Sequence, residues 1–508
     1  MVFAVVLFAV SSSARERGLA LNTVFLVGWT WAFSLPAGTL LAVLVTRTNL
    51  PLRKSVGAAV SVLLFLPLYT QTAAWQAGFG QQGWFVDWLE GWPGAIWIHT
   101  LAATPWVVMI VGAGLRRVQP QLEEAALLDA TQFSVLCSVT LRRSWLSIAA
   151  AAIWVGVQTA GEFTVTDMWW LRTYAEEIFR GFAVGESPES AVFGLLPSTL
   201  ACAVVIAATL IIVGRWLRED ARPPTRPSWI FRLGVWRWPM FTVVLLLMVL
   251  LVGVPLVNLL AQLGSEVNQL PDGSLAHGWS PVRALAMLSF SVQEFHRELL
   301  ASLGIGAVAA LVALVLSTLL AWIACRGRIG AALVVIVISV LLALPGPVIG
   351  VAISRTLGAA HWNWLNLLYD RSILAPTIAQ TVRALPIVTI ILWYALRSVP
   401  RQTLDAAALD GAGYWGRLWW VALPGRKAAL AAGWLIGFAV ALGDLAATFL
   451  VIPPGLELIS RRIFEEIHYG VPGRVAGVTM VLMLTTSTIV LVAVLLIAWD
   501  NRRRQSTW

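Results

Sequence analysis

Long apolar segments recur along the chain at about 20–45, 55–77, 94–115, 145–163 and 191–214. They return at about 238–262, 299–324, 331–353, 373–396, 428–450 and 475–499. Each is close to the roughly 20 residues that a helix needs to cross a hydrocarbon core. Eleven helical spans are therefore expected. Residues 1–10, MVFAVVLFAV, are apolar but too short to span, and no basic segment precedes them. They read as the remnant of a truncated first span, a twelfth, rather than as a secretion signal.

Between these segments the basic residues gather in alternate loops: Arg47, Arg53 and Lys54; Arg116, Arg117, Arg142 and Arg143; the run Arg215 to Arg237; Arg326 and Arg328; Arg397 to Lys427; and Arg502 to Arg504. The positive-inside rule places those loops and the C-terminus in the cytoplasm, and residues 78–92 and 263–298 on the opposite side. Arg15, Arg17, Arg172, Arg180, Arg461, Arg462 and Arg474 fall on that opposite side and run against the bias.

The pattern repeats. His99-Thr100, Pro105, Leu115-Arg116 and Glu124-Ala125-Ala126 recur as Gln380-Thr381, Pro386, Leu396-Arg397 and Asp405-Ala406-Ala407, all at an offset of 281. Gly161-Glu162 returns as Gly443-Asp444, and Ile178-Phe179 as Ile463-Phe464, with small insertions accounting for the drift. Both copies of the polar loop lie on one side, so the repeats are parallel, related by an axis along the membrane normal. The expected organisation is a first repeat over 1–215, a Pro- and Arg-rich cytoplasmic linker over 216–237, and a second repeat over 238–508.

Composition agrees with a polytopic membrane protein in lipid. Of 508 residues, 59% are hydrophobic and only 12% charged, against about 25% charged in soluble domains. The 27 Trp residues suit interfacial belts. A net charge of +9 does not point to nucleic acid, because the arginines sit between apolar runs, where they serve as orientation signals. Cys137, Cys202 and Cys325 are widely separated, which argues against a disulfide framework or a metal site.

Residues 405–424, DAAALDGAGYWGRLWWVALP, form a polar island that cannot be a span. Pro400 and Thr403 open a short helix with Asp405 in its first turn, and Gly411 supplies the stop. Three alanines leave that helix little side-chain bulk, which suits a knob entering a partner's cleft. The blander reading is an amphipathic loop resting on the membrane surface.

The stretch resembles the cytoplasmic coupling motif of ABC importer permeases, written E-A-A, three residues, Gly, about nine residues, then a hydrophobic-x-Leu-Pro ending. Asp405 stands at the Glu position, and Ala406, Ala407, Gly411, Val421, Leu423 and Pro424 match. The first copy, Glu124-Ala125-Ala126, departs from the motif: Ala130 replaces Gly, Arg142 stands where Pro is expected, and the interval is one residue shorter. The resemblance implies an all-α fold of two fused six-helix-like halves in a bacterial inner membrane. It also implies an ABC ATPase dimer on the cytoplasmic side and an extracytoplasmic solute-binding protein that delivers the solute. No cofactor is implied.

No GxxxxGK[ST] motif occurs, because Lys54 and Lys427 each follow an arginine; nor is there a nucleophile constellation or Cys/His cluster. The chain is expected to be no enzyme, with energy supplied by a partner. Gly161-Glu162-Phe163 and the stretch 441–470 resemble the fused permeases of ferric-iron importers, with thiamine and aminophosphonate permeases as alternatives. A secondary transporter with parallel halves and a non-transporting scaffold are the readings from other classes.

Glu162, Gln380, Arg383 and Asp444 are the candidates for the translocation path, since ionisable groups at membrane depth are costly and usually face water or one another. For Glu162 and Asp444, capping of the next segment is an equally good account. Arg383 has Ala102 at its repeat position, which points to a one-sided role. His296, His361 and His468 read as residues of the outer face.

Overall fold

The computed structural model describes residues 14–80, 83, 85, 89–183, 199–200, 203–211, 229–269, 275–358, 363–469 and 471–506. The apolar start 1–10, most of 191–214, most of the linker 216–237, Cys202 and His361 lie outside these residues. The first half contains α1 (Ala14–Arg47), α2 (Arg53–Leu63), α3 (Leu68–Phe79), α4 (Gly91–Leu115), α5 (Pro120–Ala126), α6 (Trp145–Ala160), α7 (Thr164–Met168) and α8 (Tyr174–Ala183). The second opens with α9 (Arg237–Met248) and α10 (Val254–Gly264), then an antiparallel ribbon of β1 (Ser265–Gln269) and β2 (Leu275–Trp279). It continues with α11 (Pro281–Glu294), α12 (His296–Cys325), α13 (Arg328–Ala343), α14 (Gly346–Ile353), α15 (Leu374–Arg397), α16 (Arg401–Leu409), α17 (Lys427–Gly443), α18 (Ile459–Tyr469) and α19 (Pro472–Ser506).

Among the described residues seven helices are long and apolar enough to cross a membrane, and two bent pairs bring the number to nine. The bent pairs correct the expectation of straight spans at 55–77 and 331–353. The chain turns by 102° between α2 and α3 and by 99° at the break between α13 and α14. Proline is the cause. Pro67 and Pro345 stand at the N-caps of α3 and α14, and proline pushes its preceding residue out of the helical region. Leu344 accordingly has ψ 119°. At 1.5 Å per residue the 11 residues of α2 rise only about 16 Å, roughly half a bilayer core.

The repeat is visible in the packing. In the first half α1 packs on α4 and α6, and in the second α12 packs on α15 and α17 in the same arrangement. Gly38 lets α1 and α4 approach, since a side chain there would run into Val107. The two halves share one core: Tyr69 and Phe163 from the first lie in the same buried cluster as Phe438, Leu442 and Phe464 from the second. Tyr69 donates to the Leu442 carbonyl at 3.1 Å. The bent elements are exchanged, with α3 packing on α18 and α14 on α8.

Within the described end of the linker, 229–237, residues 231–233 are fastened to the first half. Phe231 N–H donates to the Arg47 carbonyl at 2.8 Å. Arg232 and Leu233 N–H donate to the side chains of Gln132 and Asn49, each at 2.9 Å.

Candidate functional site: an inter-half cavity and two coupling loops

Each half presents the same loop: a short helix, a turn, and a single π-helical turn over Leu136–Leu141 or Arg417–Ala422, again 281 residues apart. The exposed leucines Leu128 (86%) and Leu409 (90%) are repeat mates at the loop tips. An apolar side chain left that bare at both copies fits insertion into a partner.

The loops differ in how they are held. In the second, α16 ends in a Schellman motif: Gly411 has φ 88°, its N–H bonds to the Ala408 carbonyl at 3.1 Å, and the Ala412 N–H to the Ala407 carbonyl at 2.9 Å. Ala406 and Asp405 are exposed on this helix and Pro424 is exposed beyond it. Asp405 sits one turn later than expected, because α16 begins at Arg401; it is past the first turn, where the helix dipole acts most. In the first loop Ala125 and Ala130 are exposed and Glu124 and Ala126 half-buried. The Ala130 N–H bonds to the Ala126 carbonyl at 3.0 Å with no left-handed residue.

Sequence reasoning missed what anchors that first loop. Glu123, the neighbour of the motif glutamate, is fully buried and pairs with the equally buried Arg47 at the end of α1. It also accepts from the Thr140 hydroxyl at 2.6 Å. The residue 281 further on is Leu404, which packs instead in an apolar cluster with Leu418 and Ala422. Arg326, which follows α12 as Arg47 ends α1, is exposed and lies 5.5 Å from the Tyr414 ring centroid.

On the other side of the loops, Glu162, Arg383 and Asp444 line one cavity of about 140 Å³ between the halves, at the Pro67 break, with room for about five water molecules. Gln380 is not among its lining residues; it is buried, with its side-chain carbonyl unpartnered among the described residues. Its repeat mate His99, noted in the sequence only as a repeat marker, does line the cavity. The His99 ring lies 3.8 Å from Glu162 and the Arg383 guanidinium 3.5 Å from Asp444. Each half thus contributes a carboxylate near the end of one helix and a nitrogen-bearing side chain from another, an imidazole in the first half and a guanidinium in the second.

Both carboxylates also cap the segments that come after them in the chain. Glu162 accepts from Thr164 N–H at 2.7 Å and Val165 N–H at 3.1 Å. Asp444 accepts from Thr448 N–H at 3.0 Å and the Thr448 hydroxyl at 2.7 Å. The two readings of these residues are therefore compatible, because capping uses some lone pairs while the groups still face the cavity. The preceding glycines stand where the two halves meet, and a Cβ at either would reach no closer than ordinary contact with the other half. A Cβ on Gly161 would lie 3.9 Å from Pro345 Cα, and one on Gly443 would lie 3.9 Å from Pro67 Cα.

Beside the cavity stands an aromatic cluster from both halves. Phe163 stacks on Phe179 at 4.0 Å, Phe179 meets Phe449 at 5.3 Å, and Phe464 lies 5.7–6.1 Å from Phe449, Phe163 and Phe179. Phe179 and Phe464 carried a repeat signal and Phe163 and Phe449 lie in the stretches that carried the resemblance, but only the fold gathers the four into one cluster. Further along the same side, His468 meets Asp167 of the other half at 3.2 Å.

A duplicated, parallel, all-α membrane fold with a polar cavity between its halves and a knob-like loop on each defines a polytopic permease. The comparisons with known proteins give the family: binding-protein-dependent transport system inner membrane components match residues 34–219 and again 313–505, most of the chain, and the chain belongs to that family. It is 28% identical over 196 residues to the probable sulfate transport system permease protein cysT of Zygnema circumcarinatum, covering 37% of this chain and 68% of that protein. It is 29% identical over 119 residues to the spermidine/putrescine transport system permease protein PotC of Escherichia coli (strain K12), covering 23% of this chain and 45% of that protein. It is 29% identical over 158 residues to the molybdenum transport system permease protein ModB of Haemophilus influenzae, covering 30% of this chain and 69% of that protein.

Proposed function

We propose that this chain is the fused membrane-spanning subunit of an ATP-driven importer of a bacterial inner membrane. In this reading a separate ATPase dimer seats Leu128 and Leu409 in its grooves, and its closing and opening rock the two halves about the shared core. A solute-binding protein delivers cargo to the opposite face. The Phe163, Phe179, Phe449 and Phe464 cluster closes the path there, since a hydrophobic constriction excludes water and ions until it is pulled apart.

The cargo is proposed to be a cation, with ferric iron first. The observation that carries this reading is the cavity's inventory: two carboxylates face it against one guanidinium. Hard oxygen donors suit a small multivalent cation, whereas sulfate or molybdate would meet two like-charged groups. A polyamine is the second reading, favoured by the similarity to PotC; thiamine, also cationic, is compatible.

Reconstitution with the ATPase and binding protein encoded nearest to this gene tests both parts. ATP-dependent uptake of labelled ferric iron is expected, with Asp444→Asn lowering it at least tenfold. Uptake of spermidine or thiamine instead would replace the cargo but keep the charge argument; uptake of sulfate or molybdate would refute it. Transport driven by an ion gradient without any ATPase would overturn the importer reading itself.

A further inference from the structure

The space beside the coupling helix is filled in one half and open in the other. In the first half the Arg47–Glu123 pair and the linker residue Phe231 occupy it; Phe231 is buried, 5.9 Å from the Arg47 guanidinium. In the second half a cavity of about 1020 Å³ opens between the ends of α12 and α15, the start of α13, and α16. Five arginines line it, Arg326, Arg328, Arg397, Arg401 and Arg417, and none of the described residues lining it is acidic. The Arg417 Nε is buried with no hydrogen-bond partner among the described residues.

From this we infer that the cavity binds the phosphate group of an anionic phospholipid of the leaflet on the coupling-loop side. Guanidinium forks match phosphate oxygens in pairs, and basic pockets at the cytoplasmic ends of membrane helices are suited to acidic headgroups. Trp322 and Trp393 in the walls are side chains that favour the headgroup level. A place for the acyl chains adjoins the site. Ile329, Leu333, Ile336 and Val340 are exposed along α13 at spacings of four, three and four residues, which is one helical face. That face starts one residue after Arg328. A bound headgroup would brace Arg401 and Arg417 on either side of the second loop's turn, as the buried ion pair and the linker brace the first loop.

A free phosphate would present the same chemistry, so the test separates the sources. The inference uses the proposed function only for the sidedness of this face, and the assay uses neither ATPase nor cargo, so the two readings fail independently. The purified full-length chain is analysed by native mass spectrometry with dioleoyl phosphatidylglycerol, dioleoyl phosphatidylcholine or sodium phosphate. Phosphatidylglycerol should be retained at least tenfold better than phosphatidylcholine. The Arg401→Gln/Arg417→Gln variant should lose that preference, and the charge-matched Lys54→Gln/Arg143→Gln variant should keep it. Arg328→Gln, at an exposed first helical position, gives a second test should the double variant aggregate, and it should reduce retention several-fold. Equal retention of the two lipids, unchanged preference in both arginine variants, or displacement of phosphatidylglycerol by equimolar phosphate would overturn the proposal.

Discussion

Replacing Gly411 by valine should uncouple the second loop without preventing insertion of the chain, and the structure sets the size of the effect. Gly411 has φ 88°, and both Schellman hydrogen bonds, at 3.1 and 2.9 Å, depend on that conformation. A Cβ placed there meets nothing within 4 Å, so the cost is backbone strain alone. An ordinary residue in the left-handed region costs about 1–2 kcal/mol, and a β-branched one lies at or above the top of that range. A penalty of that size shifts the turn's population by a factor of roughly 5–30. At Ala130 the chain already carries a Cβ, the residue is exposed, and its hydrogen bond to Ala126 needs no positive φ. Ala130 lies beyond the end of α5, so Ala130→Val should cost no more than about 0.5 kcal/mol, as exposed substitutions away from special features do. The assay is stimulation of the partner ATPase by loaded binding protein in proteoliposomes. Gly411→Val should abolish most of it, and Gly411→Asn, whose side chain tolerates the left-handed region, should retain more than Gly411→Ala. Ala130→Val should stay near wild type. Equal losses at the two positions, or a larger loss at Ala130, would refute the reasoning.

Three further outcomes are expected. Glu123→Gln, which leaves Arg47 buried without its counter-charge, should destabilise the protein by about 3–5 kcal/mol, whereas Arg47→Met/Glu123→Leu should lie within about 1–2 kcal/mol of wild type; thermal unfolding in detergent measures both, and similar values for the two would exclude the pair as the anchor. Burial lowers the His468 pKa, but hydrogen bonds to Asp167 and to the Phe464 carbonyl outweigh it, and the net shift is upward. The contact between the halves is then fully present below about pH 6.5 and lost as pH rises through the raised value; Asp167→Asn should flatten the dependence of Tm on pH across that window, and an unchanged profile would exclude the contact as its source. Phe163→Ala should open the aromatic cluster and admit a thiol reagent to a cysteine placed at Ala102 in the resting protein, and no change in labelling would remove the cluster as a barrier.

The apolar segments, the duplication and the turn of the second loop are all written locally in the chain. Hydrophobicity over some twenty residues reports a bilayer directly. A glycine six residues after Asp405 reports a left-handed turn, because little else adopts one cheaply, so Gly411 was legible in the chain itself. Pro67 and Pro345 were equally visible, yet they stand in segments whose hydropathy matches a straight span, and only the fold shows the chain turning there. Glu162, Arg383 and Asp444 stood out in the chain as ionisable groups at membrane depth, but only tertiary structure brings them to one cavity. Asp444 meets Arg383 across about sixty residues, and Tyr69 reaches the Leu442 carbonyl from the other half. Of the repeat mates His99 and Gln380 only His99 lines the cavity, a difference that the shared repeat position does not mark. The buried Arg47–Glu123 pair shows the limit most plainly. The motif singles out Glu124, but one residue along a helix is a turn of about 100°, and it is the packing of α5 under the end of α1 that selects Glu123 for burial.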